Sequence, residues 1–233
     1  MSKVFISGPM FSPADLWEQK QIKNVVEAAG FTTYYAPEDG IEDEELIADL
    51  QSPLMASANY RQAALVVQRI GWTLDIYMAT FGCDAMVMNM NGRVPDEGSV
   101  VEAANAYACG MPLVLYKDTS ITMWGPFDNP MVAALTANWT PVTSYEAIPP
   151  ALSAAIAGRD ASYTYLPPPS FAQDLAVGKH VAEHRDHVMD VLRTLSRSGQ
   201  DIPQDTGSMW ALLLQEIGIT EPSARQPAGA APR

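Results

Sequence analysis

The chain has 233 residues, 48% of them hydrophobic and 18% charged, which is the composition of a globular protein with a sizeable core. Its net charge of −13 argues against partners that are bound through clustered Lys and Arg side chains, namely nucleic-acid polymers and anionic membranes. An acidic surface of this kind is still compatible with small neutral or weakly charged substrates.

The sequence carries no pattern typical of export or membrane insertion. The first apolar stretch is interrupted at Gly8-Pro9, too early for a signal peptide. No apolar run reaches the roughly 18 residues that a membrane-spanning helix needs. Cys83 and Cys109 lie outside any metal-binding spacing, so we expect two reduced core cysteines in a cytoplasmic protein.

Two of the three histidines, His180 and His184, are spaced to share one face of a helix. A metal site at this pair is one interpretation, and a solvated helix face is the other. The intervening residues do not complete the His-Glu-x-x-His pattern of zinc enzymes, which favours the solvated face. We therefore predict that no metal ion is bound.

Strand and helix patterns alternate along the first 150 residues. In chain order we predict a strand at 3–7, a helix at 13–29, a strand at 31–37, an acidic loop, pieces of helix within 43–69, a helix at 71–82, a strand at 84–90, a helix at 99–109, a strand at 112–117, and helices at 129–137 and 144–158. This alternation is typical of an α/β fold with a parallel sheet and helices on both faces. Ligands bind beyond the carboxyl ends of such strands, so we expect the chemistry in the loops at 8–12, 37–45, 89–98 and 117–129.

The sequence changes character after residue 158. A Pro-containing linker leads to an amphipathic helix predicted at 171–199 and a short helix at 209–219. The last residues are rich in Pro and Ala, which is typical of disorder. We therefore divide the chain into a domain at 1–158, a linker and helical extension at 159–221, and a disordered tail at 222–233.

Acidic residues concentrate between a buried strand and an Ala-rich helix, from Asp96 to Glu102. The helix dipole stabilises a carboxylate in the first turns of a helix, and this is a purely structural explanation of Glu102. However, no Lys or Arg lies three or four residues from Glu102 to pair with it, and its neighbours are small and apolar. Asp75, inside the apolar pattern WTLDIYMA, is a third acid, either facing solvent or accepting hydrogen bonds from a ligand.

Two carboxylates at the mouth of a pocket are the groups that cleave a glycosidic bond. One attacks or stabilises the anomeric carbon, and the other handles the proton of the leaving group. Partial burial helps to keep one acid protonated while the other stays ionised.

Five sequence blocks resemble those of the nucleoside 2-deoxyribosyltransferases. They occur in consistent order over roughly residues 3–148. The blocks are KVFISGPMFS, GFTTYYAPEDG, WTLDIYMATFGCDAMVM, DEGSVVEAANAYACGMPLVLY and NPMV. The resemblance implies a flavodoxin-like three-layer sandwich with a five-stranded parallel sheet. It also implies an enzyme that exchanges free nucleobases on 2′-deoxyribonucleosides and uses no cofactor.

The resemblance assigns roles to four residues of this chain. Glu102 matches the nucleophile that forms a covalent deoxyribosyl intermediate, and Asp96 matches the acid/base residue near the departing base. Asp75 matches an acid that recognises the base or handles its proton. Asn129 matches a residue that reaches a neighbouring subunit's site, so we expect a homo-oligomer built on dimers.

We predict that the substrate is bound by residues from the loops after the first two strands, the turn before the Ala-rich helix, and the NPMV block. These residues are Ser7, Gly8, Pro9, Phe11, Glu38, Asp39, Gly98, Ser99, Asn129 and Met131. For Glu38 and Asp39 two interpretations stay open, acceptance of a hydrogen bond from a base amine or simple solvation.

One position departs from the resemblance. Many family members have a tyrosine in the first strand whose hydroxyl touches the nucleophile, and this chain has Phe5 there. Either Tyr34, Tyr35 or Ser7 supplies that hydroxyl, or Glu102 is held differently.

Two other functions compete with deoxyribosyl transfer. Related enzymes hydrolyse nucleoside 5′-monophosphates at the same bond. The first loop here, SGPMFSPAD, has no Arg for the phosphate, although backbone N–H groups with Ser7 and Ser12 can bind one. The second alternative is a catalytically inert nucleotide-sensing module with the same fold.

Overall fold

The computed structural model describes residues 1–41, 58–92, 95–118, 129–136, 139–198 and 205–219. These residues form an α/β fold with a parallel sheet, as predicted. The four strands lie in the order β2-β1-β3-β4 and are β1 (Lys3–Ser7), β2 (Thr32–Tyr35), β3 (Ala85–Asn89) and β4 (Leu113–Tyr116).

Helices join and cover the strands. They are α1 (Pro13–Ala28), α2 (Ala36–Asp39), α3 (Ala58–Tyr77), α4 (Glu97–Ala108), α5 (Pro130–Ala133), α6 (Ile148–Ala157), α7 (Pro169–Glu183), α8 (Arg185–Ser198) and α9 (Thr206–Glu216). A π-helical turn (Met78–Gly82) extends α3, and a short 3₁₀ turn (Tyr145–Ala147) precedes α6. Ser12 begins α1 as predicted, because its hydroxyl accepts a hydrogen bond from the Asp15 N–H at 3.2 Å.

Side chains alternate between the two faces of the sheet, and each face has its own core. Val4 and Ile6 of β1 pack in a core with α1 and α6. Phe5 points the other way, into a larger core that α3 and α4 share with the C-terminal helices. Because both faces are buried, the inner strand β3 and the strand β4 are almost continuously apolar, as is usual for a parallel sheet.

The expected fifth strand is wrong, since the described residues contain four strands and a single parallel bridge beside β4. Val142 donates to the Leu115 carbonyl at 2.8 Å and accepts from the Lys117 N–H at 2.9 Å. Pro141, just before it, has no N–H, and Ser144 already begins the turn into α6. The ladder therefore cannot extend in either direction.

Several predicted elements have different bounds. The second strand ends at Tyr35, because Pro37 suits the first turn of a helix and α2 begins at Ala36. The helix predicted at 71–82 is the last part of the longer α3 and its π turn. The helix predicted at 129–137 covers only Pro130–Ala133.

The long helix predicted at 171–199 is also wrong, because it is two helices that meet at His184. The backbone of His184 leaves helical geometry with φ −130°, and its N–H still caps α7 by bonding to the His180 carbonyl. The predicted tail at 222–233 lies outside the described residues, and so do residues 42–45 of the acidic loop.

The C-terminal helices pack into the same core as the sheet. Val181, Val188 and Leu213 are fully buried there together with Phe5. Gly178 brings α7 against α3 so closely that a β-carbon at this position would lie 1.9 Å from the carbonyl oxygen of Thr73. In the part of the chain that the structure describes, no helix is long and apolar enough to cross a membrane.

Candidate functional site

The side chains of Ser7 and Glu102 meet at the carboxyl end of β1. Ser7 is the last residue of β1, and Glu102 lies in the second turn of α4, which packs over this face of the sheet. The Ser7 hydroxyl donates a hydrogen bond of 2.6 Å to Glu102 Oε2. Ser7 is buried and Glu102 half-buried, so the bond holds the carboxylate in one orientation with little competition from water.

A second pair of a hydroxyl and a carboxylate lies on the same face. The Tyr34 hydroxyl, from β2, donates to Asp75 Oδ1, on α3, at 2.8 Å. Phe5 is the register partner of Tyr34, and their rings lie 5.1 Å apart between centroids. The adjacent strands β1 and β2 thus direct one hydroxyl to each of two sequence-predicted acids, Glu102 and Asp75.

These contacts answer the question that Phe5 raised. Ser7, two residues further along the same face of β1, supplies the hydroxyl that touches Glu102. Tyr34 bonds to Asp75 instead. Tyr35 points to the other face, where its hydroxyl approaches the Leu16 carbonyl at 3.5 Å.

Asp96 begins α4 as its N-cap. Its Oδ2 accepts hydrogen bonds from the Ser99 N–H at 2.7 Å and from the Ser99 hydroxyl at 2.8 Å. A β-carbon on Gly98 would lie 3.2 Å from the same oxygen, so the turn favours a residue without a side chain there. Both contacts use Oδ2, which fixes the carboxyl group of Asp96 roughly one and a half helical turns before Glu102.

Glu38 and Asp39 are held by the protein itself. Glu38 pairs with Lys23 at 2.5 Å and with Lys20 at 3.5 Å, and the hydrogen bond from Lys23 lowers the pKa of Glu38. Asp39 accepts the Tyr35 backbone N–H at 2.8 Å. These contacts favour a structural role for both acids over recognition of a base.

The remaining predicted binding residues lie at the surface or in the loop after β1. Asn129 begins α5 by accepting the Met131 N–H at 3.0 Å, and both residues are exposed. Met131 is 79% exposed and Phe11 84% exposed, which is unusual for side chains of this size. Gly8 and Pro9 follow Ser7 directly, at the edge of the sheet where Glu102 lies.

Sequence reasoning missed a polar cluster on the opposite face, between α1 and the end of β3. The Glu18 carboxylate accepts from the side-chain amides of Asn89 at 2.7 Å and Asn91 at 2.5 Å. Gln19, beside it, is buried against Gly8. The signal in the sequence was the pair of asparagines that ends a buried apolar strand, MVMNMN.

The cysteine prediction is confirmed, since Cys83 and Cys109 are both buried thiols without a disulfide. Burial raises the pKa of Cys83 to about 12. His180 packs against His184, with ring centroids 4.5 Å apart, and its Nε2 contacts the Ile217 carbonyl at 2.7 Å. Within the described ranges, no group of three His, Cys, Asp or Glu side chains is arranged to hold a metal ion.

No protein-family model matches the chain, and a search of curated proteins returned no significant match.

Proposed function

We propose that this protein is an enzyme that transfers the 2-deoxyribosyl group between the nucleobases of 2′-deoxyribonucleosides. The observation that carries the proposal is the bond between Ser7 and Glu102 at the carboxyl end of β1. A half-buried carboxylate, oriented by a buried hydroxyl, is suited to attack an anomeric carbon. The proposal includes a flavodoxin-like arrangement. The strand order β2-β1-β3-β4, with helices on both faces of the sheet, supports this part of the proposal.

The first half of the proposed reaction forms a covalent intermediate. A carboxylate oxygen of Glu102 bonds to C1′ of the sugar as the bond from C1′ to the base nitrogen breaks. The base leaves with the bonding electrons and takes a proton from Asp96, whose carboxyl group is held in place by two hydrogen bonds from Ser99.

The second half reverses these steps with another base. Its nitrogen attacks C1′, gives its proton to Asp96 and displaces Glu102, so two inversions retain the β configuration. The absence of a 2′-hydroxyl on the sugar favours this route, because that group would withdraw electrons from the cationic transition state. Asp75, fixed by Tyr34, binds the base or handles its second proton.

The position of Ser7 favours nucleosides over nucleoside monophosphates. Its hydroxyl is buried and donates to Glu102, so it does not serve as a phosphate ligand in this arrangement. The exposed Asn129 and Met131 support the proposal that α5 completes the site of a neighbouring copy in a dimer-based, cytoplasmic homo-oligomer.

An exchange assay tests the proposal. The purified protein is incubated with 2′-deoxyinosine with and without free adenine, with thymidine as a second donor, and with 2′-deoxyinosine monophosphate. We expect 2′-deoxyadenosine to form only when adenine is present and only with Glu102 intact. Release of base from the monophosphate alone would indicate a nucleotide hydrolase instead, and no turnover of any donor would favour the inert sensing module.

A further inference from the structure

Gln19, on the second turn of α1, is the most unusual buried polar side chain of the described residues. It is 1% exposed, and within the described residues neither its Nε2 nor its Oε1 has a hydrogen-bond partner. Burial of an unsatisfied polar group costs about 1–3 kcal/mol. A methionine at this position has nearly the same shape and avoids that cost, so packing alone does not explain a glutamine here.

The carboxamide lies directly beneath the loop that follows β1. A β-carbon on Gly8 would fall 1.6 Å from Gln19 Nε2 and 2.8 Å from the Cβ of Asn89. The group is therefore in contact with Gly8, between the carboxyl ends of β1 and β3. Helix α1 packs on one face of the sheet and α4 on the other, so this is the switch point where ligands of open α/β sheets bind.

The surroundings of Gln19 keep it in this place. Glu18, the preceding residue, is bonded to both Asn89 and Asn91 and so fixes this turn of α1 against the end of β3. On the other side, Gly8 is joined directly to Ser7, whose hydroxyl orients Glu102. Gln19 is thus connected to the Glu102 carboxylate through Gly8 and Ser7.

We propose that Gln19 is a positioning residue that binds the backbone of the loop at 8–11 in the ligand-bound form of the protein. A carboxamide has a donor group, its NH2, and an acceptor, its carbonyl oxygen, which match a peptide carbonyl and a peptide N–H. Met10 and Phe11 each have a backbone N–H, whereas Pro9 has none. When a nucleoside fills the crevice, the loop settles onto the carboxamide and fixes Ser7 and Glu102 for attack.

This inference rests on the proposed function, because it takes the crevice beside Gly8 as the substrate site. It also explains why the Gln19 carboxamide is buried without hydrogen-bond partners. The free-energy cost of that burial falls on the unliganded protein and is removed when the ligand binds. Residues that lower stability in exchange for function are expected at such sites.

The test compares Gln19→Met with Gln21→Met, a matched change on the same helix at a partly exposed position. Without ligand, we expect Gln19→Met to raise Tm by about 2 °C or more, because the unsatisfied carboxamide is gone. With 2′-deoxyinosine and adenine, we expect its kcat/KM to fall about tenfold or more, mostly through kcat, because the bound state loses the hydrogen bonds of the carboxamide. Gln21→Met should change neither quantity.

Hydrogen exchange gives a reading that does not depend on turnover. In the unsubstituted protein, 2′-deoxyinosine should protect the Met10 and Phe11 amides, and Gln19→Met should lose that protection. Unchanged kcat/KM in Gln19→Met, or a lower Tm or unfolding of that variant, would overturn the inference. Failure of the proposed function is distinct, because the unsubstituted protein itself would then turn over no donor.

Discussion

The hydroxyl of Ser7 lies 2.6 Å from a carboxylate oxygen of Glu102, and this contact joins the end of β1 to the second turn of α4. It brings together two residues that are 95 positions apart in the sequence. A hydrogen bond to a charged acceptor is worth about 1.5–3 kcal/mol, so the contact is strong enough to set the orientation of the carboxylate.

Removal of this hydroxyl should slow the proposed reaction. We expect Ser7→Ala to lower kcat about tenfold to a hundredfold, because the Glu102 carboxylate loses a hydrogen-bond donor that orients it. Ser153→Ala is the matched control, since its hydroxyl bonds to the Pro149 carbonyl on the exposed side of α6. Equal kcat values for Ser7→Ala and the unsubstituted protein would rule out an orienting role for Ser7.

The bond between Tyr34 and Asp75 should matter for both stability and base exchange. We expect Tyr34→Phe to lower the free energy of unfolding by about 1–3 kcal/mol, because it leaves the Asp75 carboxylate short of a donor. Urea unfolding measures this change. We also expect a higher KM for the acceptor base, because Asp75 loses the Tyr34 hydroxyl that helps to orient it.

Asp75→Asn separates the two effects of this pair. The amide oxygen can still accept from Tyr34, so stability should change little, while transfer falls because an amide cannot exchange a proton with the base. Full transfer activity in Asp75→Asn would show that Asp75 acts only as a structural partner of Tyr34.

The C-terminal extension contacts the end of α2 and the loop that follows it through Arg185. Its Nε donates to the Gly40 carbonyl at 2.7 Å, and its Nη2 donates to the Glu38 carbonyl at 3.4 Å. We expect Arg185→Ala to loosen this loop and to change the KM values for different bases by about threefold to tenfold, with kcat less affected. Arg159→Ala, on the exposed end of α6, should leave all of these values unchanged.

The crossing of α7 over α3 depends on Gly178. We expect Gly178→Ala to lower Tm by about 5 °C or more, because the new β-carbon would lie 1.9 Å from the Thr73 carbonyl oxygen and the helices must separate. Gly158→Ala is the matched control, since its β-carbon meets nothing closer than 3.4 Å and its φ is −85°. Similar Tm values for both variants would mean that the two helices do not pack this closely in solution.

Much of the sheet was predictable from sequence, because strands buried on both faces are continuous apolar runs such as the one from Ala85 to Met88. The absence of a fifth strand from the described residues was not predictable. It depends on Pro141, just before Val142, and on the helical turn that Ser144 begins two residues later. The break at His184 was also invisible, because the apolar stripe continues from α7 into α8 while the backbone changes direction.

For the site, the sequence predicted the acids but not their partners. The two-residue period of a strand places Phe5 and Ser7 on one face, which narrows the choice of hydroxyl without deciding it. Which hydroxyl contacts Glu102 depends on how α4 packs over the sheet, and this packing is a property of the tertiary structure. The buried position of Gln19 has no sequence signature at all, since α1 reads as an ordinary amphipathic helix.

The most direct measurement is the mass of the peptide that contains Glu102 after reaction with 2′-deoxyinosine and an acid quench. We predict an increase equal to one deoxyribosyl unit on Glu102, lost on addition of adenine and absent from Glu102→Gln. Exchange of bases without any such increase, or an increase located on another residue, would contradict the assignment of Glu102 as the nucleophile.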